Sequence, residues 1–154
     1  AVFVSEPAPA RAAAARKLGA AEVIDPTKED VVARMVELTD GLGPHVVFEA
    51  AGIKNTTDQA LDMVRRYGQV VLIAVPWEYI PIRPVDWMAR EVELKTTFGS
   101  TTEDWHISLD LMKQGKVDVG PMLAPDSFIP LERIQDAFEA LMKPTTQLQM
   151  VVKF

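Results

Sequence analysis

The sequence contains no cysteine and only two histidines, His45 and His106. The first absence excludes disulfides and thiolate chemistry, and it deprives a structural zinc site of its usual ligands. The two histidines stand far apart and have no ligand-like companions at short spacing. Basic residues are in deficit: 16 Lys and Arg face 22 Asp and Glu, a net charge of −6. That balance argues against nucleic acid as a partner, because binding it needs clustered cations to displace counterions. No apolar run approaches the roughly 18 residues of a membrane span. The first residues lack the basic start and long apolar stretch of a secretory signal, so a cytoplasmic location is expected by default. A glycine-rich phosphate loop, a nucleophile elbow and a calcium-loop pattern are also missing, as are internal repeats and low-complexity linkers.

What is present is ordinary globular composition, 48% hydrophobic and 25% charged over 154 residues, enough for one domain with a real core. The chain is organised around residues 1–11, AVFVSEPAPAR. An apolar strand, residues 1–4, runs into Ser5-Glu6, and a proline-punctuated turn opens an alanine-rich helix. A strand that delivers a carboxylate at its carboxyl end, just before a helix, is how nucleotide-binding α/β sheets hold a ribose. Glu6 is therefore read as a ribose acceptor, with capping of the following helix as the alternative.

Downstream, the helix over residues 8–18 should stop at Gly19 with Ala14, Ala15 and Leu18 inward. A short strand follows over 21–25. Thr27 and Asp30 resemble a capping box for a helix carrying Val31, Val32, Met35 and Val36 at helical spacing. Residues 45–52, HVVFEAAG, form a strand flowing into a small-residue turn, after which Asn55 or Thr56 caps a helix with Ala60, Leu61 and Val64 inward. Residues 69–76, QVVLIAVP, are the most hydrophobic strand. Continuous apolar runs of this kind indicate strands covered on both faces of a parallel sheet. The alternation of strand and helix up to Pro76 means α/β.

The rhythm then breaks. Pro76, Pro81 and Pro84 exclude a helix interior or central strand over 77–88, so extended edge structure is expected. Residues 91–100 return to a strand with one wetter side, near a sheet edge. A helix over 103–114 should turn Trp105, Leu109 and Met112 inward. Another helix, starting at Pro130, should bury Leu131, Ile134, Ala137, Phe138, Leu141 and Met142. A terminal strand over 148–154 closes the chain.

The segments VSEPAPARAAAARKLGAAEVIDP, VVFEAAG, GQVVLIAVP, ELKTTFGS and FIPLERIQDAFEAL, in this order, resemble the medium-chain, zinc-type alcohol dehydrogenases. Within them the chain looks most like the butanediol and sorbitol-type dehydrogenases, of which it covers the carboxyl-terminal part. The resemblance implies a fold: an incomplete Rossmann doubly wound parallel sheet, lacking its first strand and glycine-rich loop, over 1–98, and a carboxyl-terminal segment of helices and strand over 99–154. In the order 3-2-1-4-5-6 the first strand is central, so a gap is expected between the strand ending at Glu6 and the one ending at Glu49. The natural protein would be longer, or this chain would rearrange or pair with another chain to fill the gap.

The resemblance also assigns roles. Ser5 and Glu6 fall at the tip of the second Rossmann strand, where a negative charge favours the free ribose of NAD over the 2′-phosphate of NADP. Arg11 matches a basic residue near the adenine ribose, although an arginine there could also meet a 2′-phosphate or be a solvated helix residue. Ala51 and Gly52 resemble the turn beside the cofactor's ribose and pyrophosphate, and Ala74 and Val75 the strand end at the nicotinamide carboxamide. Phe98 and Gly99 fall where the chain returns to the catalytic domain. Gly99 replaces an arginine frequent in sorbitol-type relatives, which places an arginine-to-cofactor contact in question. Tyr79 to Pro84 and Glu91 to Phe98 correspond to a subunit contact, so a homo-oligomer is expected. The family reaction transfers a hydride between an alcohol or ketone substrate and the nicotinamide. Its zinc ligands come from the amino-terminal half, so this chain contributes no catalytic or metal residue and should be inactive alone. Glu49 is read as supporting the site from behind or as structural, and His106 as a helix-surface or interface residue. Three rivals remain open: an S-adenosylmethionine methyltransferase, a non-enzymatic Rossmann scaffold, and a zinc-free quinone reductase relative.

Overall fold

Pro9 lies in the first turn of a helix, where a missing N–H costs nothing and a fixed φ is already helical. In the computed structural model, which describes residues 1–142 and 148–154, that helix is α1 (Pro9–Lys17). It connects two parallel strands, β1 (Phe3–Ser5) and β2 (Glu22–Ile24), paired Phe3 to Glu22, Val4 to Val23 and Ser5 to Ile24. Gly19 takes the left-handed conformation after the helix, at φ +94°. The buried side chains of α1 are Ala12 and Ala14, whereas Leu18 is exposed. The inward face is thus rotated from the expected one, because the small alanines, not leucine, meet the sheet.

The chain forms two compact units, one of Ala1–Thr27 with Ser100–Phe154 and the other of Lys28–Gly99. The first unit also holds α5 (Thr102–Lys113), opened by a capping box in which Thr101 and Asp104 bond each other's backbone N–H. After it come β6 (Phe128–Pro130), a 3-10 turn, α6 (Ile134–Leu141) and β7 (Val151–Lys153), with β6 and β7 paired in parallel. The strand ending at Pro130 was not expected from sequence, which assigned that proline to a helix start. The expected inward stripes also fail here. Trp105, Leu109 and Met112 are exposed, and of the α6 set only Ala137 is buried, with Phe138 and Met142 in solvent. Helical periodicity defines an apolar stripe but says nothing of what covers it.

The second unit is built on three parallel strands in the order β3 (Val46–Glu49), β4 (Gln69–Leu72), β5 (Glu93–Thr96). α2 (Val31–Glu37) and α3 (Lys54–Met63) accompany them. The core gathers Ala60, Leu61 and Val64 against Val70, with Val47, Leu72, Trp87 and Val92 around it. Burying Leu61, Val64 and Val70 is worth about 1.5–3 kcal/mol of transfer free energy each. Arg90 closes the carboxyl end of α3, donating to the carbonyls of Leu61 and Val64.

Four local expectations are corrected in this unit. Asp30 alone caps α2, accepting from the Ala33 N–H at 3.0 Å, while Thr27 donates to Asp25 in the preceding turn. Neither Asn55 nor Thr56 caps α3, whose N-cap position is Ile53 with no side-chain bond. Residues 84–88 are not extended: α4 (Pro84–Met88) is a short helix with Pro84 in its first turn, the one helical place a proline fits. Covering on both faces fails for β3, where Val47 and Glu49 turn inward but Val46 and Phe48 are exposed, Phe48 at 65%. The edge expected over 91–100 does occur, since β5 ends the strand order and all four of its residues are exposed.

The architecture is α/β with parallel strands throughout, as in an incomplete doubly wound sheet. Among the described residues β1 pairs only with β2 and β3 only with β4. Each therefore keeps one edge without a strand partner among those residues. No helix among them is long and apolar enough to cross a membrane.

Candidate functional site

Parallel strands end on the same side of a sheet, and in open α/β sheets ligands bind outside those carboxyl ends. In the second unit the register aligns Glu49 with Leu72 and Leu72 with Thr96. The turns that follow are Ala51–Gly52, Ala74–Val75 and Phe98–Gly99, so three of the sequence-derived pairs leave one sheet edge in a row. Gly52 has φ +70°, and a Cβ there would lie 3.2 Å from both the Ala74 Cβ and the Val75 carbonyl oxygen. Only glycine combines that conformation with so close an approach. Phe98 is 89% exposed, and Gly99 stands in open space. That pair shares the row without touching the other turns.

The first two turns are held by Glu49, which is 4% exposed. Its Oε1 accepts from the N–H groups of Ala51 and Gly52, both at 2.9 Å, and from the Thr56 hydroxyl at 2.7 Å. Its Oε2 accepts from Gly52 N–H at 3.1 Å. The Glu49 main-chain oxygen accepts from the N–H groups of Ile73 and Ala74 at 3.0 and 3.2 Å. The sequence places this residue behind the site or in a structural role, without its partners. The signal was present, since a carboxylate at a strand tip before small turn residues is the pattern that singled out Glu6.

In the first unit Ser5 ends β1 and Glu6 follows, its N–H bonded to Ile24 O at 3.0 Å. The Glu6 Oε1 accepts from Ala8 N–H at 2.7 Å, and Oε2 from Arg11 Nε at 2.8 Å. Glu6 thus braces the turn before α1 instead of bonding the helix's own N–H groups, and α1 has no side-chain cap. Burial pushes the Glu6 carboxyl up, but the Arg11 hydrogen bond, the Ala8 N–H and the Arg11 charge outweigh it and hold the group below its ordinary value. The same bond raises Arg11. Each Glu6 oxygen has one lone pair engaged in these contacts, and a carboxylate offers about four acceptor sites. Acceptor capacity for a ribose diol remains, so the donor and acceptor chemistry fits a dinucleotide.

A metal is a different matter. Among the described residues no group of three or more His, Cys, Asp or Glu side chains could hold an ion. His45 faces Arg65, with Nε2 and Nη1 2.6 Å apart, and His106 is exposed on α5.

The family described as zinc-binding dehydrogenase matches residues 1–114. D-arabitol-phosphate dehydrogenase of Enterococcus avium is 28% identical over 134 residues, covering 86% of this chain and 38% of that protein. The structure of 2R,3R-butanediol dehydrogenase from Bacillus subtilis superimposes with a TM-score of 0.86 at 30% identity, over 99% of this chain and 43% of that one. A zinc-binding dehydrogenase structure from Sinorhizobium meliloti 1021, bound to NADP, gives a TM-score of 0.83 at 26% identity, over 98% of this chain and 44% of that one. The chain spans about two fifths of the length of the proteins it matches.

Proposed function

The chain belongs to the zinc-binding dehydrogenase family, and from that premise we propose that it is the NAD-binding portion of an alcohol or diol dehydrogenase. The observation that carries the choice of cofactor is the Glu6 carboxyl at the tip of β1, with Arg11 bound to it. A carboxylate there accepts from the two hydroxyls of an unmodified ribose and repels a 2′-phosphate, and it offsets the charge with which Arg11 would attract that phosphate. A family neighbour is bound to NADP, so family membership does not decide the cofactor and the reading rests on Glu6 and Arg11. In this reading Ala51–Gly52 lie beside the ribose and pyrophosphate, Ala74–Val75 at the nicotinamide carboxamide, and Phe98–Gly99 lead out of the sheet. When bound, the nicotinamide exchanges a hydride with a secondary alcohol carbon. The protein's part is to hold and orient the dinucleotide.

The division of labour follows the sequence: residues 1–98 bind cofactor and 99–154 return to the catalytic part of the enzyme, in the cytoplasm. Self-association is part of the proposal. β5 ends its sheet with one edge unpaired among the described residues, and in the segment that precedes it Trp77, Tyr79 and Met88 are exposed. Large apolar groups clustered in solvent mark an interaction surface, here for a second copy along Tyr79 to Pro84 and Glu91 to Phe98.

An NMR titration of the chain with NAD and with NADP tests the reading. Binding that favours NAD, at any affinity up to the millimolar range, is the expected result. Equal or tighter binding of NADP overturns the cofactor assignment. A hydride-transfer assay with NAD and butanediol on the 154 residues alone should be blank, and turnover would sink the division of labour.

A further inference from the structure

Successive backbone N–H groups in a turn with one left-handed residue make a concavity that binds anions. Ala51 and Gly52, with Gly52 at φ +70°, provide such a pair directly after a sheet strand. In this protein the concavity is already filled from within, by the carboxyl group of Glu49. The N–H groups of the turn are consumed, so the turn has neither donor free for a phosphate.

The filling does more than satisfy a buried side chain. Glu49 does not cap α3, because its backbone partners, Ala51 and Gly52, lie before the helix, whose N-cap is Ile53. The Thr56 hydroxyl, from the first turn of α3, fixes the carboxyl in place. Through its main chain the same residue ties Ile73 and Ala74 at the end of β4. One residue therefore holds both strand exits, and the gap between them is narrow enough that a methyl on Gly52 would meet Ala74 and Val75. Among the described residues no cation pairs with Glu49. Its side chain is met by amide N–H groups and one hydroxyl.

We propose that Glu49 is the positioning residue of the cofactor site, an internal anion that sets the shape of the Ala51–Gly52 turn and its spacing from Ala74–Val75. This rests on the reading of those two turns as dinucleotide contacts. Two consequences separate it from a merely structural role. Removing the carboxyl should empty an anion-binding turn, which a small carboxylate from solution can refill. Replacing it with an amide should preserve one acceptor and lose the second.

The test uses the 154-residue chain with Glu49→Gln and Glu49→Ala. Amide exchange at Ala51 and Gly52, measured without nucleotide, should accelerate about tenfold or more in Glu49→Ala and less in Glu49→Gln. NAD affinity should fall about tenfold in Glu49→Ala, a difference of about 1.4 kcal/mol, with Glu49→Gln between. Added acetate should restore part of both in Glu49→Ala and nothing in the unaltered chain. Faster exchange with undiminished NAD affinity overturns the positioning role, as does failure of acetate to restore Glu49→Ala while Glu49→Gln remains folded. Unchanged exchange overturns the clamp itself. If the unaltered chain binds neither NAD nor NADP, the cofactor reading falls and the positioning role with it, while exchange still reports whether Glu49 holds the turn.

Discussion

The Glu6 carboxyl and the Arg11 guanidinium meet at 2.8 Å across the turn between β1 and α1. The pair joins the one acidic group at that strand tip to the one cation of the first helical turn. Arg11 is more than half exposed while Glu6 is mostly covered, with side chains 56% and 18% accessible. The acid is thus fixed by its surroundings, and the base is the partner that could be released.

Releasing it should change cofactor choice. Glu6→Gln removes the charge that compensates Arg11, which in the proposed reading stands where a 2′-phosphate would arrive. The ratio of NADP to NAD affinity should rise about tenfold, the size of one charge-assisted contact. Paired titrations of the two nucleotides measure it, and an unchanged ratio would refute the role of the pair.

The same pair has a pH signature. Burial raises the Glu6 carboxyl, and the Arg11 bond, the Ala8 N–H and the Arg11 charge together hold it below its ordinary value. A carboxyl depressed in the folded chain contributes stability that is full above its unfolded pKa and is lost as the pH falls through the folded one. The carboxyl carbon resonance of Glu6 should titrate below the ordinary glutamate range. In Arg11→Met the midpoint should move upward, since burial then acts against fewer opposing contacts. Identical midpoints in the two chains would contradict this.

Gly52→Ala should be costly out of proportion to one methyl. The position has φ +70°, and the added carbon would sit 3.2 Å from the Val75 carbonyl oxygen. A side chain forced into that backbone region costs roughly 1–3 kcal/mol. Urea unfolding should show a lowered midpoint, together with weaker NAD binding. Gly99→Ala, at a similar φ of +70° but in open space, should carry the backbone cost without the contact cost.

Arg90→Met should loosen the carboxyl end of α3. The guanidinium donates to the carbonyls of Leu61 and Val64, groups that a helix end leaves without intrahelical partners. Loss of hydrogen bonds from a charged donor costs about 2 kcal/mol. The expected readout is a lower urea midpoint with faster amide exchange at residues 61–64.

Tyr79→Asp and Met88→Asp should weaken self-association. Both side chains are exposed, at 92% and 73%, and a charge on each would have to be desolvated in a contact. Sedimentation equilibrium should show the unaltered chain self-associating and both variants shifted toward monomer. A monomeric unaltered chain would refute the proposed interface.

Legible in the sequence alone are the α/β alternation up to Pro76, the parallel sheet it implies and the acidic tip at Glu6. These rest on signals held within a few residues, such as apolar runs and Gly19 after α1. The edge position of β5 was equally local, written in its alternating charges. What only the tertiary structure decided is which stripes are covered and which residues meet. Trp105 and Phe138 have helical spacing suited to a core, yet both are exposed, because burial depends on a distant surface that periodicity does not specify. Pro84 was read as a helix breaker and proved to be a helix start, since a proline's effect depends on whether its missing N–H falls in the first turn. Glu49 shows the division most clearly. Its strand was legible, but its carboxyl bonds the next turn while its carbonyl bonds the end of β4, and that second partner lies more than twenty residues away in sequence.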